Sequence, residues 1–234
     1  LPPILYAMLV KERPFKSLGF SKSTILWMIL GVAMMYTILP LNSIFTEWNA
    51  NIKFPESLAS FEKLMQDLQE RATEVMAKFV NVDTIGGLII NLFMIAGLAA
   101  LGEELLFRSV IQTSLIKICK NAHVGIFIAS AIFSLFHMEF YGLLPRLVLG
   151  MLIGYMFYYS LSIWIPMAMH FANNGTIVFL YYLNNIGAIN IDVESFGETN
   201  IFVLILSIIA MVALFWFTVK LNKKEGLEID NQEA

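Results

Sequence analysis

The sequence predicts an all-α, polytopic transmembrane helical bundle, and three observations carry that reading. Hydrophobic residues make up 58% of the 234-residue chain and charged residues only 14%, where a soluble domain carries roughly a quarter charged. Apolar runs of about 20 residues, the length that spans a bilayer, recur along the chain. Lys and Arg gather in some of the segments between them and are missing from others, as expected of loops kept on the cytoplasmic side. We expect one membrane domain, 1–234. The net charge of −3 gives no reason to expect a nucleic-acid partner. With Cys119 as the single cysteine, no intrachain disulfide forms.

Six spans follow in order. The first ten residues are apolar but too short to cross. A span at 24–45 contains Pro40, which removes a backbone donor and should kink it. The 47–83 loop is not formless. After Pro55, the residues Leu58, Phe61, Leu64, Met65, Leu68, Val75, Met76 and Phe79 keep a helical spacing with charges between them. This is an amphipathic helix, expected on the outer membrane face or packed over the bundle. The next apolar segment, 84–118, is too long for one upright helix and should be tilted or broken. Spans at 124–138, 143–159, 163–183 and 201–219 complete the set. Gly150 and Gly154, four apart, read as a helix-packing pair.

The basic residues set the orientation. Lys11, Arg13, Lys16 and Lys22 precede the first span, Lys117 and Lys120 lie between the second and third, and Lys220, Lys223 and Lys224 follow the last. With six spans all three groups fall on one side, so both termini are expected in the cytoplasm. Asp192, Glu194 and Glu198 stand in an opposite loop. His123, beside the basic turn, reads as interfacial. Glu139 and Arg146 flank an outer turn, where they should snorkel toward water.

The chemistry concentrates at 103–108, Glu-Glu-Leu-Leu-Phe-Arg. No charge occurs from Thr84 to Ala100, and none between Arg108 and Lys117. Adjacent carboxylates in low dielectric persist only if paired, protonated or used, which makes such a cluster a functional-site hypothesis. Glu104 and Arg108 have the i,i+4 spacing of an ion pair. Glu103 lies about 100° round the helix from Glu104 and faces a different neighbour. We therefore assign Glu104 and Arg108 to structure and Glu103 to chemistry. Lys120 and Asn121 form a polar break that should turn the chain. Glu103 is 17 residues before Lys120 and His137 is 17 after it, so an antiparallel hairpin brings the two to one depth. His170 and Asn174, again i,i+4, present an imidazole and a carboxamide suited to stabilising an oxyanion. Asn173 points elsewhere and reads as helix–helix glue. By the same depth estimate, His170 is too near its turn to reach Glu103 comfortably.

Glu-Glu-x-x-x-Arg at 103–108, Phe-x-x-x-His ending at His137 and His-x-x-x-Asn ending at Asn174 occur in this order. They resemble the CPBP intramembrane proteases, the group of CAAX-processing endopeptidases and bacteriocin-processing or immunity proteins. The resemblance covers residues 84–184, the expected protease core. It implies an integral membrane, multi-pass bundle with an interior cavity and peptide-bond hydrolysis near the C-terminus of a peptide or protein substrate. Residue by residue, it implies that Glu103 and His137 activate the attacking water, that His170 and Asn174 line the oxyanion site, and that Phe133 packs behind His137. No His-Glu-x-x-His occurs. Water activated without a metal is the expected reading; were Zn the cofactor, Glu103, His137 and His170 would be its ligands. Two rival functions remain from the residues: a non-catalytic scaffold or immunity protein of the same fold, and a proton-coupled transporter, since buried Glu and His also relay protons.

Overall fold

The computed structural model describes residues 2–10, 12–193 and 195–226. Lys11 and Glu194, used above for orientation, lie outside the described residues. All regular structure among the described residues is helical. Short helices α1 (Pro2–Val10) and α2 (Pro14–Ser17) are followed by α3 (Ile25–Thr37) and α4 (Leu39–Ala50). These last two meet at a 43° bend beside Pro40, the kink expected of the first span. A 3-10 turn at Glu56–Leu58 leads into α5 (Ala59–Val80), the amphipathic helix.

Helix α6 (Ile85–Cys119) runs unbroken for 35 residues, roughly 50 Å at 1.5 Å per residue, well beyond the ~30 Å hydrocarbon core. It is not uniform. Two π-helical runs, Leu92–Leu98 and Leu105–Gln112, flank a short α segment, Ala99–Glu104, that carries both acids. Such π insertions concentrate at functional sites. Thr84 caps its start through the Gly87 N–H. Lys120, in the left-handed region at φ 51°, ends it, and Asn121 caps α7 (Ala122–Phe136) by accepting from Val124 N–H. The turn thus falls where the polar break predicted. The hairpin closes tightly at Gly125, where a Cβ would stand 2.7 Å from the Ile116 backbone nitrogen.

Helices α8 (Leu143–Ser160), α9 (Trp164–Asn185) and α10 (Ile201–Glu225) complete the chain. α8 packs on α7, and α9 on both α3 and α6. Gly150 and Gly154 allow the approach: a Cβ would meet Ser130 at the first and the Gln112 carboxamide at 2.7 Å at the second. The main core joins Trp27, Met34 and Met35 of α3 to Met156 of α8 and Ile165 and Met169 of α9.

The expectation of six spans is not met by length and composition. Among the described residues three helices qualify, α6, Phe140–Ser160 and α10, or four if the bent α3–α4 pair is one span. α7 has only 15 residues, about 22 Å. α9 is long enough at 22 residues, but His170, Asn173 and Asn174 at its centre and Asn184 and Asn185 at its end dilute its apolar character. α5 behaves as its spacing predicts: Phe61, Leu64, Val75, Met76 and Phe79 are exposed.

Candidate active site

The acidic pair on α6 faces two ways. Glu104 is fully buried; its Oε2 accepts from Arg108 Nε at 2.7 Å, and its Oε1 stands 2.7 Å from His170 Nδ1. Glu103 is about a third exposed, and its Oε2 lies 3.9 Å from both His137 Nε2 and His170 Nε2. That oxygen is itself buried and makes no hydrogen bond among the described residues. Three of the four expected catalytic residues therefore converge around one carboxylate oxygen.

The ring orientations follow from what the other nitrogens touch. His137 Nδ1 is 2.8 Å from the Phe133 carbonyl oxygen. A carbonyl only accepts, so Nδ1 carries the proton and Nε2 of the neutral ring presents a lone pair toward Glu103. His170 Nδ1 faces a carboxylate, which likewise favours the proton on Nδ1. Phe133 packs against His137 with ring centroids 4.8 Å apart, and the Arg108 guanidinium lies over the Phe133 ring, 5.2 Å from its centroid. Arg108 is fully buried, and its two Nη atoms have no hydrogen-bond partner among the described residues. The Phe133 face and the Glu104 charge offset that cost.

His170 reaches this depth because the turn before α9 is not at the surface. Ser162 and Ile163 are fully buried. Ser162 Oγ donates to Ser21 O, and Ile163 N–H donates to Gly19 O. The N-terminal segment covers the turn and sinks the start of α9. The depth estimate above assumed a turn at the membrane surface, hence its discomfort.

The remaining residues have partners of their own. Asn174 lies one turn on from His170, and one hydrogen of its Nδ2 is donated to Ile95 O at 3.2 Å, within the first π-helical run. Asn173 does not reach a neighbouring helix by its amide but donates to Asn174 Oδ1. Glu104 is more than half of an ion pair, since it also holds His170. Glu139 and Arg146 pair with each other rather than reaching outward. His123 Nδ1 meets Tyr155 OH at 2.8 Å. A small cavity of about 40 Å³ lies away from Glu103, toward the α6–α7 turn, lined by Gln112, Thr113, Ile116, Phe157 and Leu161 among others. Glu103 and His137 instead border the surface beside exposed Phe136 and Met138. Sequence reasoning missed Asn49, which binds the turn after His137; a lone Asn near a helix end gives no long-range signal.

An all-helical membrane protein with an acid–histidine cluster between apolar helices is the class that fold and site define. Residues 85–176, less than half of the chain, match the family model described as Type II CAAX prenyl endopeptidase Rce1-like, a similarity that supports the reading of a CPBP-family intramembrane protease. No curated protein and no solved structure matches the chain.

Proposed function

We propose that the protein is an intramembrane endopeptidase of the CAAX-processing type that hydrolyses a peptide bond near the C-terminus of a membrane-associated substrate with a Glu/His-activated water. The observation that carries this reading is the Glu103 carboxylate facing two imidazole Nε2 atoms at 3.9 Å each. That spacing is too long for direct hydrogen bonds and suits a small group bridging them.

Water donates one hydrogen to Glu103 Oε2 and the other to His137 Nε2, which leaves an oxygen lone pair for the scissile carbonyl. As the O–C bond forms, Glu103 takes the proton and the carbonyl electrons move to oxygen. The oxyanion accepts from His170 Nε2–H, in the form protonated on both nitrogens, and from the second amide hydrogen of Asn174. Collapse breaks the C–N bond, and Glu103 returns its proton to the leaving amine. Glu104 holds His170 through Nδ1, and Arg108 holds Glu104.

A Zn site on Glu103, His137 and His170 fits poorly. Tetrahedral bonds of roughly 2.0 Å set ligand atoms about 3.3 Å apart, and among the described residues no group of three His, Cys, Asp or Glu side chains is arranged to hold a metal. The test is release of a C-terminal fragment from CAAX-type and unmodified membrane peptides by the protein in proteoliposomes. Turnover that survives a chelator is expected; loss restored by Zn overturns the metal-free step, and no release from any peptide overturns the peptidase reading in favour of a scaffold.

The same reading keeps six membrane-crossing segments, counting the short α7 and the polar α9, and both termini in the cytoplasm. Cys119, half-buried beside the basic turn and the single cysteine, reports on this directly. It should react with an impermeant maleimide added from the cytoplasmic side; reaction from the other side alone refutes the orientation.

A further inference from the structure

We propose that Asn49 is a positioning residue for His137, acting through the turn at 138–144. The inference rests on the hydrolytic reading above. His137 is not inside its helix, as the predicted span 124–138 implied, but sits at its C-terminal cap. Its ring is therefore oriented by a helix end and by the backbone that follows. That backbone is unusual. Met138 takes a left-handed φ of 57°, a conformation that is strained for a residue with a Cβ and persists only where the surroundings enforce it.

The enforcing contacts are on the far side of the turn. Asn49, at the end of α4, is 1% exposed. Its Nδ2 donates to Phe140 O and its Oδ1 accepts from Leu144 N–H, both at 2.8 Å. The Leu144 N–H is one of the first-turn donors of α8 that have no partner within the helix. The residue before that helix is Gly142, which has no side chain to cap it. Asn49 supplies the cap from another helix, and with its other end it holds the 3-10 turn Phe140–Gly142. Ser134 Oγ, one turn before His137, donates to Leu143 O at 2.6 Å and closes the clamp from the α7 side. Phe54 (ring centroids 4.9 Å from Phe140) and Gln66, which donates to Tyr141 OH, add contacts from the segment around α5. Asn49 lies outside the family-matched residues 85–176, so this support comes from a different part of the chain.

The experiment compares wild type, Asn49→Ala, Asn49→Asp and Asn185→Ala in detergent micelles. Asn185 is the control, because its Nδ2 also donates to two carbonyls, Val80 O and Val82 O, away from the turn. Two readouts are taken: kcat and KM per folded molecule, and the side-chain 15N shifts of His137, assigned by comparison with His137→Gln. Wild type should show the proton on Nδ1. Asn49→Ala should mix the tautomers and lower kcat by between roughly tenfold and 10²-fold, the scale of a misplaced reacting group, with KM within about threefold. Asn49→Asp keeps the acceptor for Leu144 N–H and loses the donor to Phe140, so it should fall between; it carries the test if Asn49→Ala does not fold. Unchanged His137 shifts with wild-type kcat in the Asn49 variants overturn the proposal, as does an equal loss in Asn185→Ala. If wild type cleaves no peptide, the hydrolytic reading falls, and the His137 shifts alone decide whether Asn49 orients the ring.

Discussion

Glu103→Gln is expected to lower peptide hydrolysis by about 10²- to 10⁴-fold, the contribution of a positioned general base, with folded yield unchanged. The substitution keeps the shape of the side chain and its place on α6. It replaces the carboxylate whose Oε2 both imidazole Nε2 atoms face, and a carboxamide cannot take a proton from water at neutral pH. Folding should survive because Glu103 is partly exposed and its Oε2 has no hydrogen bond to lose among the described residues. The measurement is initial rate per folded molecule, with size-exclusion behaviour as the fold check. Turnover within a few-fold of wild type would remove Glu103 from the chemistry, and the reading of Glu104 as purely supporting would fall with it.

The second large effect is on stability. Arg108→Ala should destabilise the folded protein by about 3–5 kcal/mol, the cost of leaving one partner of a buried ion pair uncompensated. Glu104 and Arg108 are both fully buried and joined at 2.7 Å, so no solvent replaces the lost guanidinium. The truncation also removes the cation that lies over Phe133. Thermal unfolding in detergent should show a large drop, or the folded yield should collapse. The double variant Glu104→Gln, Arg108→Met removes both charges and should recover much of the stability while remaining inactive, because His170 loses its carboxylate. An Arg108→Ala protein that is fully stable and merely inactive would show that Arg108 acts on the reaction rather than on the fold.

The elements of the bundle and the composition of the site were legible because both are local. A run of apolar residues makes a helix whatever surrounds it, and the amphipathic spacing from Phe61 to Phe79 marked α5 without reference to any partner. Pro40 marked the bend, and Lys120 with Asn121 marked the α6–α7 turn. From that turn, equal spacing to Glu103 and His137 set the hairpin register, and i,i+4 geometry paired Glu104 with Arg108. None of these inferences needs to know where a third helix lies. The count of spans was less legible: α7 ends two residues short of the expected 138, and the polar residues of α9 dilute its apolar character.

Only the tertiary structure decided how the third helix meets the first two. The 161–163 turn is buried under Gly19 and Ser21, which lowers α9 until His170 touches Glu104 and faces Glu103. Asn174, one turn on, donates to Ile95 O, and the turn after His137 is held by Asn49 from more than 90 residues away in sequence. By itself the sequence determined which helices form and which of their residues share a face, because periodicity and i,i+4 spacing act within one element. Depth, ring orientation and the sharing of Glu104 depend on hydrogen bonds between distant segments, and those exist only once the helices have packed.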